Sequence, residues 1–334
     1  MNKITNYQLP KILIVGTGAL GTLFAARLSQ AGYDITMLGT WKEGIASLQK
    51  DGVRLFDSNG NETTFKVQAT DDPGEYVGTK HALVLVKAWQ TERAARQLSE
   101  CLADDGLALT LQNGLGNYET LTEALNKSAT ENAEKKRDKD SAISEISVAK
   151  SNSRVALGST TSGATLIAPG VARAGGEGVV SIQRHEKLAP IEAALTSAKF
   201  NVHLVEDAQS LVWGKLVINA AINPLTALLR VPNGELLNRP SAREMMATLA
   251  REVAEVAHAE NIKLPFDDPA AMAEEVARKT AANQSSMLQD VLRNAPTEID
   301  AICGAVVKIG KKHNIETPIN WACWQLARSL QNPQ

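Results

Sequence analysis

Residues 11–38 read KILIVGTGALGTLFAARLSQAGYDITML and decide the fold of the first part of the chain. The apolar run 11–15 predicts a strand that is buried on both faces. Residues 17–31 carry apolar side chains at helical spacing and stop at Gly32, a typical helix end. Residues 33–38 predict a second strand. A strand, a helix and a strand in this order cross over right-handed and begin a parallel sheet.

The loop between the first strand and the helix carries the motif GxGxxG. It consists of Gly16, Thr17, Gly18, Ala19, Leu20 and Gly21. In this motif the first glycine permits a tight turn, the second lets backbone N–H groups reach a pyrophosphate, and the third allows close packing of helix on strand. The helix N-terminus adds a partial positive charge. A glycine-rich connection without a ligand is the alternative, but strand, loop and helix in the required order favour dinucleotide binding.

The end of the second strand bears on the choice of coenzyme. An NAD site usually places Asp or Glu there, about 20 residues after the loop, to bond the ribose 2′-hydroxyl. Residues 38–42 read LGTWK and contain no carboxylate. Thr40 and Lys42 can donate to or neutralise a 2′-phosphate, although Lys42 is equally compatible with a solvated surface lysine. We therefore expect NADP(H), and NAD remains the alternative.

The chain beyond residue 38 first continues the α/β pattern. Further strands are expected at 53–55, 64–67, 82–86 and 107–111, and more short strands between 154 and 205. Asn59-Gly60 predicts a hairpin with a type I′ turn between the first two of these strands. The stretch 128–151 mixes charges of both signs with small polar residues, and we expect a solvated surface insertion with room for a helical stretch.

Helical periodicity dominates from residue 207. Asp207 is an N-cap candidate for a helix that ends near Asn223, since Pro224 interrupts the pattern. Pro296 and Pro318 are expected near the starts of the last two helices. We therefore predict an α/β fold class with two domains: a Rossmann-type doubly wound sheet over 1–205, and an all-helical domain over 206–334.

Composition excludes several classes of protein. With 35 Lys and Arg against 37 Asp and Glu, the chain of 334 residues has no basic field for nucleic acid or an anionic membrane. Three widely separated cysteines without histidine at ligand spacing predict neither a disulfide framework nor a metal site. No export signal or membrane span is recognisable, so we expect a cytoplasmic protein that acts on a small molecule.

A polar stripe runs through the otherwise apolar segment 211–225, LVWGKLVINAAINPL. Lys215, Asn219 and Asn223 are spaced four apart and therefore share one helix face. Because an unpaired buried amide costs about 1 to 3 kcal/mol, something polar must face them. Other protein groups would satisfy one asparagine, whereas three residues in line favour a ligand in a cleft. Partial burial lowers a lysine pKa, which would make Lys215 a proton donor to the oxygen of a carbonyl reduced by hydride, with the asparagines bonding a substrate hydroxyl.

Several short motifs together resemble the ketopantoate reductase family over nearly the whole chain. They are Gly16 to Gly21, VKAWQ at 86–90, QNG at 112–114, 215–224 with PNGEL at 232–236, and SSMLQD at 285–290 followed by TEID at 297–300. The resemblance implies NADPH-dependent reduction of ketopantoate (2-dehydropantoate) to pantoate, a step toward pantothenate and coenzyme A. It also implies a Rossmann domain followed by a helical domain, with the cleft between them.

The resemblance also implies roles for individual residues. Lys215 matches the family's catalytic lysine and Glu298 its acidic partner. The positions that match substrate-binding residues are Asn219, Asn223, Asn233 and Ser286. Lys87 and Asn113 are assigned to the cofactor and nicotinamide side. From the residues alone, Glu298 is expected in the first turn of a helix after Pro296, Ser286 is equally a simple helix cap, and Asn113 with Gly114 equally a turn.

The chain departs from the family at the end of the second strand, where many members carry arginine near positions 40–42. NADH therefore stays open as the coenzyme. Two other functions also stay open: a related reductase of another 2-keto acid, and a non-catalytic protein that senses a dinucleotide. The sequence leaves the oligomeric state open as well, with a homodimer as one possibility.

Overall fold

The chain forms two compact units. The computed structural model describes residues 9–136 and 153–330, with only the backbone for 128–136. The first unit comprises the described residues of Met1–Val86, Gln90–Gln112 and Asn117–Glu206. The second comprises Lys87–Trp89, Asn113–Gly116 and the described residues of Asp207–Gln334. Two short segments that follow predicted strands, 87–89 and 113–116, thus group with the second unit. The sequence did not predict this grouping.

An eight-stranded sheet forms the centre of the first unit. Its strands are β1 Ile12–Val15, β2 Ile35–Leu38, β5 Gln68–Thr70, β6 Thr79–Val84, β7 Leu102–Thr110, β8 Val155–Thr160, β11 Val179–Gln183 and β12 Asn201–Val205, in the order β12-β11-β8-β7-β6-β1-β2-β5. All neighbours are parallel except β8 and β11. Strands β1 and β2 are buried along their whole length, as apolar strands covered on both faces must be.

Helices cover both faces of this sheet. They are α1 Ala19–Gln30, α2 Lys42–Asp51, α3 Thr91–Cys101, α4 Asn117–Lys136 and α5 Ala189–Ser197. Alternate residues of β1 pack into two separate cores, Ile12 and Ile14 into one and Leu13 and Val15 into the other. Of the expected insertion at 128–151, the backbone of α4 continues to Lys136, and 137–151 lies outside the described residues.

A four-stranded sheet is the second element of the first unit. Its strands are β3 Val53–Phe56, β4 Glu62–Phe65, β9 Ala164–Ala168 and β10 Val171–Ala174, in the order β4-β3-β10-β9. The antiparallel hairpin of β3 and β4 is confirmed, but the type I′ turn is wrong. Phe56 pairs with Glu62, so the loop spans 57–61, and Gly60 rather than Asn59 has a positive φ (83°). Asp57 shapes this loop by accepting from the N–H groups of Asn59 and Asn61 at 2.8 Å.

The second unit consists of helices packed around α6. The helices are α6 Ala208–Leu229, α7 Pro240–Ala259, α8 Pro269–Lys279, α9 Ser286–Leu292, α10 Cys303–Lys312 and α11 Pro318–Ser329. In the part of the chain that the structure describes, α6 alone is long and apolar enough to cross a membrane, and 72% of its most apolar window is buried inside the protein. That burial is typical of a core helix. The predicted fold class, an α/β unit followed by an all-helical one, is confirmed.

Two helix boundaries in the second unit differ from expectation. Helix α6 begins after its predicted cap Asp207, which accepts from the Ser210 N–H at 2.9 Å, but it continues through Pro224 to Leu229. The proline removes one backbone hydrogen bond, and the surrounding buried side chains hold the helix together past it. No helix starts at Pro296. The chain turns between 297 and 302, and α10 begins at Cys303.

Candidate active site

The predicted phosphate loop joins β1 to α1 in the first unit. Gly16 has φ +130° and donates its N–H to the Leu38 carbonyl at 2.8 Å. A Cβ on Gly21 would lie 2.1 Å from the Gly16 carbonyl oxygen, so this position requires glycine. A Cβ on Gly18 would meet no atom within 4 Å. Open space at the second glycine is what a pyrophosphate needs to approach the backbone.

The first turn of α1 leaves its backbone donors available. Gly18 is the N-cap and has no side chain to accept from the N–H groups that follow. Thr17 is buried within the loop, while Ala19 and Leu20 are partly buried at the start of the helix. A helix N-terminus without a side-chain cap is a ready site for an anion. The loop therefore fits the pyrophosphate of a dinucleotide.

The end of β2 lies against this loop. A Cβ on Gly39 would come within 2.7 Å of the Thr17 side chain, so the two segments are in contact. Thr40 and Lys42 follow, both exposed, with Lys42 as the first residue of α2. The Arg93 guanidinium, on α3, donates from Nη1 to the Thr40 hydroxyl. Arg93 was not predicted from the sequence, because nothing local relates it to a residue 53 positions away.

The polar stripe predicted at 215–223 lies on α6. Lys215 and Asn219 are partly buried, and Asn223 is buried. Burial lowers the pKa of Lys215 to about 8, while the negative charge of Glu298 acts in the opposite direction. The structure thus brings Lys215 and Glu298 within electrostatic range of each other. A lysine with this pKa exchanges a proton readily near neutral pH.

A cluster of one lysine and two carboxylates lies close to this stripe in the same unit. Lys87 Nζ lies 2.6 Å from Asp290 Oδ2 and 3.5 Å from Glu298 Oε2. Both carboxylate side chains are almost fully buried, at 4% and 5% exposed. Burial lowers the pKa of Lys87, but the adjacent carboxylates outweigh it and the net shift is upward. Burial raises the pKa of Asp290. These three groups therefore hold one another by charge.

Glu298 is fixed by neighbours from distant parts of the sequence. Its Oε1 accepts from the Ala88 N–H at 3.0 Å, and its Oε2 accepts from Asn113 Nδ2 at 3.2 Å. The expectation that Glu298 lies in the first turn of a helix is wrong, since it lies in the turns before α10. Donors from the segments 87–89 and 113–116, rather than a helix dipole, stabilise its charge.

Asp290 is a functional candidate that was not predicted from the sequence. It lies within the quoted motif SSMLQD, four residues after Ser286, and Arg293 Nη2 lies 3.1 Å from its Oδ1. A buried carboxylate on the short helix α9 requires a cation, and Lys87 lies 203 positions away in the sequence. The polar end of the motif was a sequence signal for Asp290, but the sequence did not indicate that Lys87 is its partner.

The remaining two predicted substrate residues, Ser286 and Asn233, differ in burial. Ser286 is exposed as the first residue of α9, and its alternative interpretation as the cap is wrong, because Ser285 caps the helix by accepting from the Leu288 N–H at 3.1 Å. Asn233 is 8% exposed and donates from Nδ2 to the Thr280 hydroxyl at 2.9 Å. Within the described residues, Asn233 Oδ1 has no hydrogen-bond partner. The substrate-binding role of both residues stays a prediction.

Comparison with known proteins gives the family directly. A family model described as ketopantoate reductase PanE/ApbA matches residues 12–187, and the model of its C-terminal part matches residues 207–331. The 2-dehydropantoate 2-reductase of Archaeoglobus fulgidus is 33% identical over 97% of this chain and 99% of that protein. That of Halobacterium salinarum is 30% identical over 96% and 99%.

Solved structures agree on the fold. A PanE/ApbA family ketopantoate reductase from Ralstonia eutropha has a TM-score of 0.82 at 28% identity, covering 96% of this chain and 98% of that chain. D-mandelate dehydrogenase with NADH and anilino(oxo)acetate also has a TM-score of 0.82, at 25% identity over 96% and 97%. The matching family models cover more than half of the sequence and include the phosphate loop, Lys215 and Glu298. The chain therefore belongs to the ketopantoate reductase family.

Proposed function

We propose that the protein reduces 2-dehydropantoate to (R)-pantoate with NADPH, a step toward pantothenate and coenzyme A in the cytoplasm. The observation that carries the proposal is Lys215, a partly buried lysine on α6 that is within electrostatic range of the buried Glu298 and whose pKa is lowered by burial to about 8. The 2-dehydropantoate 2-reductases that match this chain over nearly their full length support the substrate.

The chemistry requires one hydride and one proton. A nicotinamide coenzyme, when bound, would supply the hydride, and the keto carbon would accept it as its double bond to oxygen becomes a single bond. Lys215 gives the proton from its ammonium group to the keto oxygen and stabilises the negative charge that develops there. Glu298 raises the pKa of Lys215 and so keeps it protonated before the reaction. Solvent then returns the proton to Lys215.

Neutral polar side chains of the protein are proposed to select the substrate. Asn219 and Asn223 extend the line of Lys215 along α6, so a 2-keto acid bound at the lysine presents its hydroxyl to their amides. Ser286 and Asn233 are assigned to the same substrate, with Ser286 donating its hydroxyl to the carboxylate. Amide and hydroxyl groups discriminate strongly against a ligand that leaves them unpaired, which favours a hydroxylated keto acid.

The coenzyme is proposed to occupy the loop Gly16–Gly21, with its adenosine at Thr40 and Lys42 and its nicotinamide near Lys87 and Asn113. The open space at Gly18 and the contact between Gly39 and Thr17 support this assignment. The absence of a carboxylate in residues 38–42 supports NADPH, because an NADH site would use one for the ribose 2′-hydroxyl.

Steady-state assays test the proposal. Purified protein should oxidise NADPH on addition of 2-dehydropantoate, measured at 340 nm. Failure to turn over 2-dehydropantoate while another keto acid is reduced would contradict the substrate. Light scattering on the same sample tests the homodimer, which stays a prediction.

A second candidate function is the reduction of a different 2-keto acid. The structural similarity to D-mandelate dehydrogenase favours it, because that protein has the same fold and acts on a 2-hydroxy acid with an aromatic side chain. A panel that compares 2-dehydropantoate with phenylglyoxylate, each with NADPH and NADH, separates the two. The keto acid with the higher kcat/KM indicates which class of substrate the protein reduces.

A further inference from the structure

Arg93 makes an unusual contact within the first unit. It lies in the first turn of α3, after β6, and donates to the hydroxyl of Thr40, which follows β2. In the sheet, β6 and β2 lie on either side of β1. The three strands are parallel, so the contact passes over the carboxyl end of β1, where the phosphate loop begins. In open α/β sheets, ligands bind at this edge.

The charge of Arg93 has no counter-ion in the described part of the chain. Among residues 9–127 and 153–330, no carboxylate forms an ion pair with its guanidinium. Its Nε is buried and has no hydrogen-bond partner there. Burial lowers the pKa of Arg93, yet a guanidinium stays charged in proteins. A partly desolvated cation without an anion is costly, and a bound anion would lower that cost.

The position of this cation matches one group of the coenzyme. Thr40 directly follows Gly39, which touches Thr17 of the phosphate loop. A dinucleotide whose pyrophosphate lies on that loop places its adenosine ribose at the end of β2. The anion that a ribose can offer there is a 2′-phosphate. A guanidinium suits a phosphate particularly well, because its planar fork donates two parallel hydrogen bonds.

We propose that Arg93 is the residue that selects NADPH over NADH in this protein, by binding the 2′-phosphate together with the Thr40 hydroxyl. The inference rests on the proposed function only in taking a nicotinamide dinucleotide as the coenzyme. The cation that many family members place after the second strand comes here from α3. The hydroxyl of Thr40 holds the guanidinium in place until the phosphate replaces part of that contact.

Calorimetric titration with adenosine 2′,5′-bisphosphate and 5′-AMP tests the proposal without catalysis. The wild type should prefer the bisphosphate, and Arg93→Ala should weaken its binding by about 10- to 100-fold while 5′-AMP is unaffected. Arg93→Gln keeps a donor for Thr40 but not the charge, so it should also lose the preference for the bisphosphate. This second variant keeps the test valid if the alanine variant misfolds. Arg96→Ala, an exposed arginine one turn further along α3, is the matched control and should retain the preference.

Three results would overturn the assignment. They are equal binding of the two nucleotides by the wild type, full preference in Arg93→Gln, and an equal loss in Arg96→Ala. The readout is independent of the proposed function. Turnover of 2-dehydropantoate without a 2′-phosphate preference would refute the assignment and leave the function intact. A preference that depends on Arg93, without turnover, would do the reverse.

Discussion

The phosphate loop of the first unit and the cluster of Lys87, Asp290 and Glu298 in the second are built by different means. The loop relies on its backbone. A Cβ added to Gly21 would meet a carbonyl oxygen, whereas one added to Gly18 would fill open space. The N–H donors at the start of α1 have no side-chain cap. The cluster uses side chains: the partly exposed Lys87 contacts the buried carboxylates of Asp290 and Glu298, and Lys215 is within electrostatic range of Glu298. Backbone recognition depends on local sequence, whereas the cluster depends on residues brought together by the fold.

Replacing Lys215 with alanine should show most clearly that the two regions have different roles. Loss of a general acid is expected to lower kcat for 2-dehydropantoate by about 10²- to 10⁴-fold. The affinity for NADPH should stay unchanged, because Lys215 is assigned to the keto acid and not to the coenzyme. Stopped-flow turnover and a fluorescence titration with NADPH measure the two quantities. Lys311→Ala, an exposed lysine on α10, is the control. Retention of full turnover in Lys215→Ala would contradict the account.

Replacing Lys87 with methionine tests whether charge holds the cluster together. The change leaves Asp290 and Glu298 as adjacent buried carboxylates, so the free energy of unfolding should fall by about 2 to 4 kcal/mol, near the lower end because a third of the lysine is exposed. Urea unfolding measures this loss. The loss should shrink at lower pH as the carboxylates take up protons, consistent with the raised pKa of Asp290.

A surface ion pair provides the control for that experiment. Lys80 lies 2.9 Å from Asp105, with both side chains more than half exposed. Lys80→Met should cost less than about 1 kcal/mol, since exposed pairs contribute little. Adding Asp290→Asn to Lys87→Met should restore part of the lost stability. Equal losses in the Lys87 and Lys80 variants would mean that burial adds nothing to the cluster.

Two glycine substitutions test whether the loop binds the coenzyme. Gly18→Ala meets no protein atom, so the melting temperature should not change, but its Cβ occupies space that the pyrophosphate needs, and NADPH should bind about 10-fold more weakly. At saturating NADPH, kcat should stay at the wild-type value. Gly21→Ala should lower both the melting temperature and the affinity, because its Cβ would lie 2.1 Å from a backbone oxygen. If Gly18→Ala bound NADPH as tightly as the wild type, the loop would not be part of the coenzyme site.

This contrast explains what could be predicted from the sequence. The strand, glycine loop and helix of 12–30 were readable because hydrophobic spacing and glycine positions are local signals. The stripe of Lys215, Asn219 and Asn223 was readable because helical periodicity places them on one face. Both features depend on residues that are close in sequence.

What was missed depends on tertiary structure. Arg93 and Thr40 are 53 positions apart, and Lys87 and Asp290 are 203 apart, so no local pattern joins them. Pro224 does not end α6, because packing around the helix outweighs the lost hydrogen bond. For Glu298, the proline before it indicated a helix start, whereas its partners come from 88 and 113.

The pH dependence of kcat/KM for 2-dehydropantoate at saturating NADPH tests most directly whether Lys215 donates the proton. Since this ratio reports the enzyme–NADPH complex before the keto acid binds, and the donor must be protonated, it should be constant at low pH and fall about tenfold per pH unit above the Lys215 pKa of about 8. In Glu298→Gln the fall should begin at lower pH, because the carboxylate raises that pKa. A profile that stays flat through this range, or a fall that persists in Lys215→Ala, would contradict the account.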